Sequence, residues 1–322
     1  MNSIFCDEMM EHLSLRERFL ARSSFTMDRC ALLSFDRHLT ERGNTEKRIS
    51  EGDVISWVQP MYEHFSRNTI ASKVSTLRVF LEHLRRKGLS VYIPPSSKVP
   101  STYIPYLFSD MEIKRIFSAA DSATCRSNSN RHMELPMLLR MLYSCGFRLG
   151  ELLAVQIGDV SFDLGVILLR DTKNRKQRIV PLGDSLTAML NRYCMAMNLV
   201  GYPESYLFPG PDCKKHISQK SVEAWFEDLL KNTGIYSRTK RYARGQCLHC
   251  FRHLFAVKSF AQAERAGRST NDSIPYLSIY LGHNSLNETE KYLKFSSDMF
   301  PEHTSLFEKY SEGVFPEVCR ED

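Results

Sequence analysis

A proline-rich segment divides this chain of 322 residues into two parts. Between Leu89 and Leu107 the chain has several serines, no helical periodicity and four prolines, Pro94, Pro95, Pro100 and Pro105. Proline fixes its own φ angle and pushes the preceding residue to extended conformations, so such a segment forms a stiff connection. We therefore predict a small domain over residues 1–90, a linker over 91–106 and a larger domain over 107–322.

The small domain has the pattern of packed helices. Between Asn68 and Lys87, five apolar residues share one helical face: Ile70, Val74, Leu77, Leu81 and Leu84. Gly88 follows and can take the left-handed conformation that ends many helices. Arg85, Arg86 and Lys87 occupy the last turn, where cations are favoured. The pattern predicts a four-helix module with basic residues on its outer faces.

The larger domain has one clear β pattern among helical ones. Ser109 and Glu112 have the spacing of a capping box and begin its first helix. Two apolar runs, Val166–Leu169 and Arg178–Val180, flank a polar turn at Thr172–Gln177 and predict a hairpin. The expected fold is therefore mainly α with a small β-hairpin or sheet, of the α+β class.

Charge and cysteine content limit the classes of protein to consider. The 43 basic and 37 acidic residues give a net charge of +6, so a nucleic-acid partner must be argued from where the charges lie. Nine scattered cysteines, an odd number, indicate reduced thiols in a cytosolic protein rather than a disulfide framework. No apolar run approaches the ~18 residues of a membrane span. We expect a soluble, cytoplasmic protein.

The first candidate site residue is Arg148. Gly146 interrupts one helical pattern and Gly150 stands at the start of the next, so Arg148 is held at a tight junction. Glu151 lies three residues later and can reach the same side of a helix. A surface Arg–Glu ion pair is the alternative interpretation.

The second feature is a histidine and an arginine in a basic segment. His249 and Arg252 are three residues apart and project together from a helix. The segment 236–258 has six Lys or Arg residues and no Asp or Glu, which favours binding to phosphate. A solvated basic face explains the same composition.

The third feature joins His283 to Tyr292. On one continuous helix these residues, nine apart, would face opposite directions, since ~100° per residue brings them ~180° apart. They can converge only if the helix breaks after His283, and Asn284 and Ser285 favour a break and a new N-cap. Taken alone, Tyr292 is better explained as a packing residue.

Together and in this order, these features resemble the tyrosine recombinase/integrase family. The shared elements are Arg in a Gly-x-Arg-x-x-Glu-Leu context, Lys in a hairpin, His-x-x-Arg, Leu-Gly-His and a Tyr nine residues later. The resemblance covers residues 107–295, and the N-terminal helical module matches the family's core-DNA-binding domain. It implies a two-domain clamp on DNA.

The resemblance also implies catalytic roles. Tyr292 would attack the scissile phosphate and form a 3′-phosphotyrosyl link, while Arg148 and Arg252 hold the non-bridging oxygens. His249 would assist proton transfer and His283 would bind the phosphate. Lys173 would protonate the leaving 5′-oxygen, and Glu151 would brace the first arginine.

Within the hairpin, Lys176 is the alternative to Lys173. Tyr310 is a second candidate nucleophile, but its spacing from His283 differs from the family's. The tail after Tyr292 would dock either on its own domain or on a neighbouring protomer. Nine basic residues are expected to contact DNA: Arg85, Arg86, Lys87, Arg175, Lys176, Arg178, Lys240, Arg241 and Arg244.

The resemblance implies double-stranded DNA with a specific recombination site as partner, a homotetramer on DNA, accessory DNA-bending proteins and a nucleoid location. A type IB topoisomerase with the same chemistry is one alternative, and an inactive DNA-binding regulator is another. No cofactor is expected. Cys247 and Cys250, with His249 and His253, superficially suggest zinc, but ligands this close on one helix face different sides. We therefore predict no metal.

Overall fold

The chain forms two compact units, Met1–Thr102 and Tyr103–Asp322. The computed structural model describes residues 2–96, 99, 105–124, 129–170, 177–236 and 245–294, without the side chains of 293 and 294. The mainly helical class with a small sheet is confirmed. No helix in these ranges is both long and apolar enough to cross a membrane.

The N-terminal unit has five helices in its described part, where the pattern predicted four. They are α1 (Cys6–Phe19), α2 (Arg22–Glu41), α3 (Glu51–Val58), α4 (Met61–His64) and α5 (Arg67–Arg86). The segment with Trp57 and Tyr62 is divided between α3 and α4 because Pro60 cannot continue a helix from the preceding turn. A short parallel pair, β1 (Arg48–Ile49) and β2 (Ser90–Val91), connects the start of α3 to the segment after α5.

The apolar face of α5 forms the centre of this unit's core. Leu77, Leu81 and Leu84 are fully buried, as the helical spacing predicted. They pack with aromatic residues from α2 and α3, of which Phe35 meets Trp57 edge to face at 5.2 Å. Gly88 has a φ of +84° and ends α5 in the left-handed conformation.

The second unit has eight described helices and a three-stranded antiparallel sheet. The helices are α6 (Asp110–Asp121), α7 (Arg131–Cys145), α8 (Leu149–Leu153), α9 (Asp184–Ala196), α10 (Gln219–Asn232), α11 (His249–Arg265), α12 (Thr270–Leu281) and α13 (Leu286–Glu290). The sheet contains β3 (Val160–Ser161), β4 (Val166–Leu169) and β5 (Arg178–Pro181). The predicted hairpin is β4–β5, and β3 is too short to have an alternating pattern.

Helix α12 begins at Thr270, five residues before Pro275. The Ser269 side chain accepts a hydrogen bond from the Asp272 backbone N–H and caps the helix. The polar residues 270–273 therefore form the first turn of this helix.

Helix α7 organises the core of the second unit. It contacts α6, α9, α10 and α11, and residues on all its sides are buried, including Leu138, Leu139 and Leu142. Helix α11 lies against both α7 and α12. The packing thus brings the C-terminal ends of α7 and α12 to the first turns of α11, where the candidate site lies.

Two glycines permit close approach at this point. Gly146 and Gly282 end α7 and α12 in the left-handed conformation, with φ angles of +62° and +67°. A Cβ atom on Gly146 would lie 2.5 Å from Phe255, and one on Gly282 would lie 2.8 Å from the Arg178 guanidinium. Any other residue would be strained at both positions.

Candidate active site

Glu151 holds two arginines at one edge of the site. Its Oε1 accepts a hydrogen bond of 2.6 Å from Arg148 Nη1, and its Oε2 accepts one of 2.7 Å from Arg178 Nη2. Burial alone would raise the pKa of Glu151, but the hydrogen bonds and charges of Arg178 and Arg148 hold the pKa below its ordinary value. Glu151 is therefore an ionised carboxylate that fixes both guanidinium groups.

Arg148 keeps access to solvent while it binds Glu151. It precedes α8, and its side chain is 23% exposed. A guanidinium has five N–H donors, so Arg148 can donate to Glu151 and to an anion at the same time. The predicted pairing of Arg148 with Glu151 is thus observed, but inside the fold and not on its surface.

We expected Arg178 to be exposed and to contact DNA, but its side chain is largely buried. Its side chain is only 12% exposed and lies on Glu151 and over Gly282. The signal for this was in the alternation of β5, because Arg178 shares a strand face with the buried Val180. Its described partners are internal, and a contact with DNA stays a prediction.

Arg252 is the most deeply buried cation of the site, at 1% exposure. It donates to the backbone oxygens of Gly146 at 2.8 Å and Leu281 at 2.6 Å, and so connects the ends of α7 and α12. Burial and the Arg148 charge lower the pKa of Arg252 to about 10, so it stays charged at neutral pH. Within the described ranges no carboxylate lies within ion-pair distance of it. The site therefore has an excess of positive charge at its centre.

His283 has a defined tautomer. Its Nε2 lies 3.1 Å from Arg252 Nη2, and its Nδ1 lies 2.7 Å from Thr289 Oγ1. Because a guanidinium can only donate, Nε2 accepts, and the ring proton is on Nδ1, from which it is donated to Thr289. Burial and the charges of the nearby arginines lower the pKa of His283 to about 3. The ring is neutral, with its lone pair towards Arg252.

Tyr292 lies at the same place. The helix is interrupted before Tyr292 as predicted, but the break begins earlier than expected: α12 ends at Leu281, before His283, and not after it. Helix α13 begins at Leu286 after Ser285 and is followed by a 3-10 turn that carries Tyr292. The Tyr292 and His283 rings stack at 5.9 Å, and a side-chain hydrogen bond joins Tyr292 to Arg252. Tyr292 is 5% exposed, among residues of α11 and α12.

His249 lies next to the site, and the His253 ring lies between it and Tyr292. It is the first residue of α11, it is exposed, and its ring meets His253 edge to face at 4.6 Å. His253 in turn contacts the Tyr292 ring at 5.4 Å. The structure therefore brings Arg148, Arg252, His283 and Tyr292 together, with His249 beside them and separated from Tyr292 by His253.

The sequence did not assign His253 or Thr289 to the site, and it assigned Arg178 to a DNA contact rather than to Glu151. His253 follows Arg252 and lies one helical turn after His249, so the i, i+4 spacing was the available signal. Thr289 had no such signal. Its position, six residues after His283, becomes meaningful only once the chain reverses between α12 and α13.

Several predicted residues lie outside the described ranges: Lys173, Arg175, Lys176, Lys240, Arg241, Arg244, Tyr310 and the tail after Tyr292. In the N-terminal unit, Arg85 and Arg86 are exposed, and Lys87 forms an ion pair with Glu11. The described residues include no group of three or more His, Cys, Asp or Glu side chains that could hold a metal ion.

Comparison with known proteins assigns both parts of the chain. The phage integrase family matches residues 107–298, and the N-terminal SAM-like domain of phage integrases matches residues 10–88. A Sinorhizobium fredii protein named as an integrase/recombinase, y4rB, is 30% identical over 86% of this chain and 93% of its own length. The tyrosine recombinase XerC of Staphylococcus aureus is 25% identical over 83% of this chain and 84% of its own.

Solved structures agree in fold. The XerH site-specific recombinase bound to a palindromic difH substrate has a TM-score of 0.68 at 18% identity, covering 88% of this chain and 80% of that one. A lambda integrase dimer bound to a COC′ core site has a TM-score of 0.64 at 15% identity, covering 89% and 94%. This chain therefore belongs to the phage integrase family, the tyrosine recombinases.

Proposed function

We propose that this chain is a site-specific DNA recombinase that cleaves and rejoins DNA through a covalent bond to Tyr292. One observation carries the proposal: Tyr292 is hydrogen-bonded to Arg252 and stacked on His283, beside Arg148, around a centre of excess positive charge. A phenol next to two guanidinium groups suits attack on a phosphodiester.

The arginines stabilise the transition state. Negative charge grows on the non-bridging oxygens of the attacked phosphate, and fixed cations that need no reorganisation stabilise it. Arg252 is held by Gly146 and Leu281, and Arg148 by Glu151, so both are preorganised. Guanidinium groups also donate in pairs to phosphate oxygens.

The covalent step exchanges one phosphodiester for another. The Tyr292 oxygen bonds to phosphorus, the bond from phosphorus to the 5′-oxygen breaks, and the 5′-oxygen takes a proton from a general acid. We assign that acid to Lys173, with Lys176 as the alternative, as the family resemblance implies. Rejoining reverses the step with a different 5′-hydroxyl. The bond energies nearly cancel, so the reaction requires neither ATP nor another energy source.

The two histidines divide the remaining work. His283, neutral and fixed by Thr289, contacts the phosphate next to Arg252. The Thr289 hydroxyl can both donate and accept, so it holds the His283 ring in place in either tautomer, including the one that donates from Nε2 to the phosphate. We assign to His249, exposed beside His253, the transfer of the Tyr292 proton once DNA is bound, as the family resemblance implies.

We further propose that the protein acts as a tetramer on two copies of a specific double-stranded site. Structures of the same fold include a lambda integrase dimer on a core site and a tetramer on a Holliday junction. Arg85 and Arg86 are exposed and suit phosphate contacts. Accessory DNA-bending proteins and a location at the cytoplasmic nucleoid complete the proposal.

A suicide substrate tests the function. The DNA carries a nick beside the cleavage position, so that cleavage releases a short strand and traps the covalent complex. We expect wild-type protein to give a denaturation-resistant protein–DNA adduct that Tyr292→Phe abolishes and Tyr310→Phe does not. An adduct that survives Tyr292→Phe would refute the assignment. Relaxation of supercoils without synapsis would instead indicate a type IB topoisomerase.

A further inference from the structure

Two cysteines immediately flank His249 in the fold. The Sγ atoms of Cys247 and Cys250 lie 3.7 Å apart. A turn brings them together, in which the Cys250 backbone N–H donates to the Cys247 oxygen at 2.9 Å. Both are thiols in this structure. A disulfide has an S–S bond of about 2.0 Å and tolerates Cα separations of one helical turn, so the pair can close with a small local movement.

The two thiols differ in exposure. Cys250 is fully buried, whereas Cys247 is half-buried and lines a cavity of about 360 Å³ together with Gln246 and His249. The hydrogen bond with Cys247 and burial raise the pKa of the Cys250 thiol. A reagent in the cavity therefore reacts with Cys247 first. The buried Cys250 then reacts with the mixed disulfide formed on Cys247.

We propose that Cys247 and Cys250 form an oxidisable dithiol, which low-molecular-weight disulfides convert reversibly to an internal disulfide. Cys247 attacks one sulfur of the small disulfide, forms a mixed disulfide and displaces one small thiol. Cys250 then attacks the Cys247 sulfur of the mixed disulfide, forms the internal disulfide and displaces the second small thiol. The protein loses two hydrogen atoms and two electrons, and the small disulfide becomes two thiols.

The disulfide encloses the first residue of α11. Leu248 and His249 lie between the two cysteines, and closing the S–S distance from 3.7 Å to about 2.0 Å pulls on this turn. If His249 acts in proton transfer, as in the proposed function on which this step rests, the oxidised enzyme cleaves DNA more slowly. Reduction restores the rate.

Mass spectrometry tests the site without reference to activity. Trypsin cuts after Arg244 and Arg252 and releases residues 245–252, a peptide that contains both cysteines and no others. After incubation with oxidised glutathione and alkylation, we expect this peptide to be lighter than its reduced form by two hydrogen atoms and to carry no alkyl group. Cys30 and Cys213, both exposed, are the controls and should carry glutathione.

Two results would overturn the site. One is a peptide with both thiols alkylated under conditions that modify Cys30 and Cys213 fully. The other is a peptide with a glutathione on each cysteine. The Tyr292→Phe protein should give the same disulfide as wild type, so an error in the proposed function leaves this measurement intact.

The suicide substrate tests the consequence for cleavage. We expect oxidation to slow adduct formation on the order of ten-fold, which is less than the 10²–10⁴-fold that general acid–base assistance contributes because His249 is displaced and not removed. Dithiothreitol should restore the rate, and Cys247→Ser/Cys250→Ser protein should be insensitive to oxidised glutathione. Unchanged cleavage by protein with the disulfide formed would refute the link to His249.

Discussion

The hydroxyl of Thr289 lies 2.7 Å from Nδ1 of His283, and it fixes which ring nitrogen faces Arg252. Thr289 is fully buried, so surface water cannot replace its hydroxyl as the hydrogen-bond partner of Nδ1. The orientation of the His283 ring at the centre of the site therefore depends on a hydroxyl outside the group of Arg148, Arg252 and Tyr292.

Replacing that hydroxyl should lower the cleavage rate and leave DNA affinity almost unchanged. In Thr289→Val, Nδ1 loses its partner and the buried N–H costs about 1–3 kcal/mol. We expect single-turnover cleavage to fall on the order of 10–100-fold, because the His283 ring is no longer oriented. Thr289→Ser, which keeps the hydroxyl, should restore most of the rate. Equal losses of cleavage rate in Thr289→Val and Thr289→Ser would show that the rate depends on the shape of the side chain and not on its hydrogen bond.

His283 should not titrate between pH 8 and pH 5 in the free protein. Its pKa is lowered to about 3 by burial and by Arg252, while the unfolded ring has a pKa of ~6.5. The unfolded chain thus binds more protons below pH 6.5, and stability falls as the pH drops from 6.5 towards 3. Nitrogen NMR of the ring should show the proton on Nδ1 over the whole range. A midpoint near pH 6.5 would contradict the buried, neutral assignment.

Removing the charge of Glu151 should disturb Arg148 and Arg178 together. Glu151→Gln keeps the shape but leaves two guanidinium groups without their carboxylate, and breaking such a buried pair costs about 3–5 kcal/mol. Cleavage should fall as Arg148 loses its orientation. We would measure chemical unfolding and suicide-substrate cleavage side by side.

The Glu151 contribution should also depend on pH in one direction. Its pKa is held low in the folded state, so the stabilisation is present above the unfolded pKa of ~4.3 and is lost as the pH falls through the folded value. The stability difference between wild type and Glu151→Gln should therefore shrink below pH ~4. A difference that stays constant with pH would assign the effect to packing.

The glycine that ends α7 should tolerate no side chain. In Gly146→Ala the new methyl group meets Phe255 at 2.5 Å in addition to the unfavourable φ of +62°. Gly234→Ala is a matched control, since it has a φ of +67° and nothing within 4 Å. We expect the control to cost about 1 kcal/mol from backbone strain and Gly146→Ala to cost about 1–3 kcal/mol more from overpacking. Equal thermal shifts would argue against the close contact.

Much of this protein follows from the order of its residues. The stripe on α5, the capping box of α6 and the β4–β5 hairpin are local patterns, and local propensity with hydrophobic periodicity determines them. The helix break before Tyr292 is local as well, because Gly282 ends one helix and Ser285 begins another, although the sequence placed its start after His283. These features were predicted since each depends on neighbours within a few residues.

Other features depend on packing between distant segments. Arg178 was expected to contact DNA, and in the structure its guanidinium binds the Glu151 carboxylate. The reason is the register of β5, which turns Arg178 inward on the same strand face as Val180. Thr289 became a partner of His283 only through the reversal after α12. Arg252 reached Gly146 and Leu281 because α11 packs between α7 and α12.

The sequence by itself determined which chemical groups are present and the local patterns of the α5 stripe, the α6 capping box and the β4–β5 hairpin. Only the tertiary structure decided which of those groups share a hydrogen bond, which nitrogen of His283 holds the proton and which cations are buried. The reason is physical: propensities act over one or two turns of chain, whereas protonation and burial depend on atoms that are remote in sequence and adjacent in space.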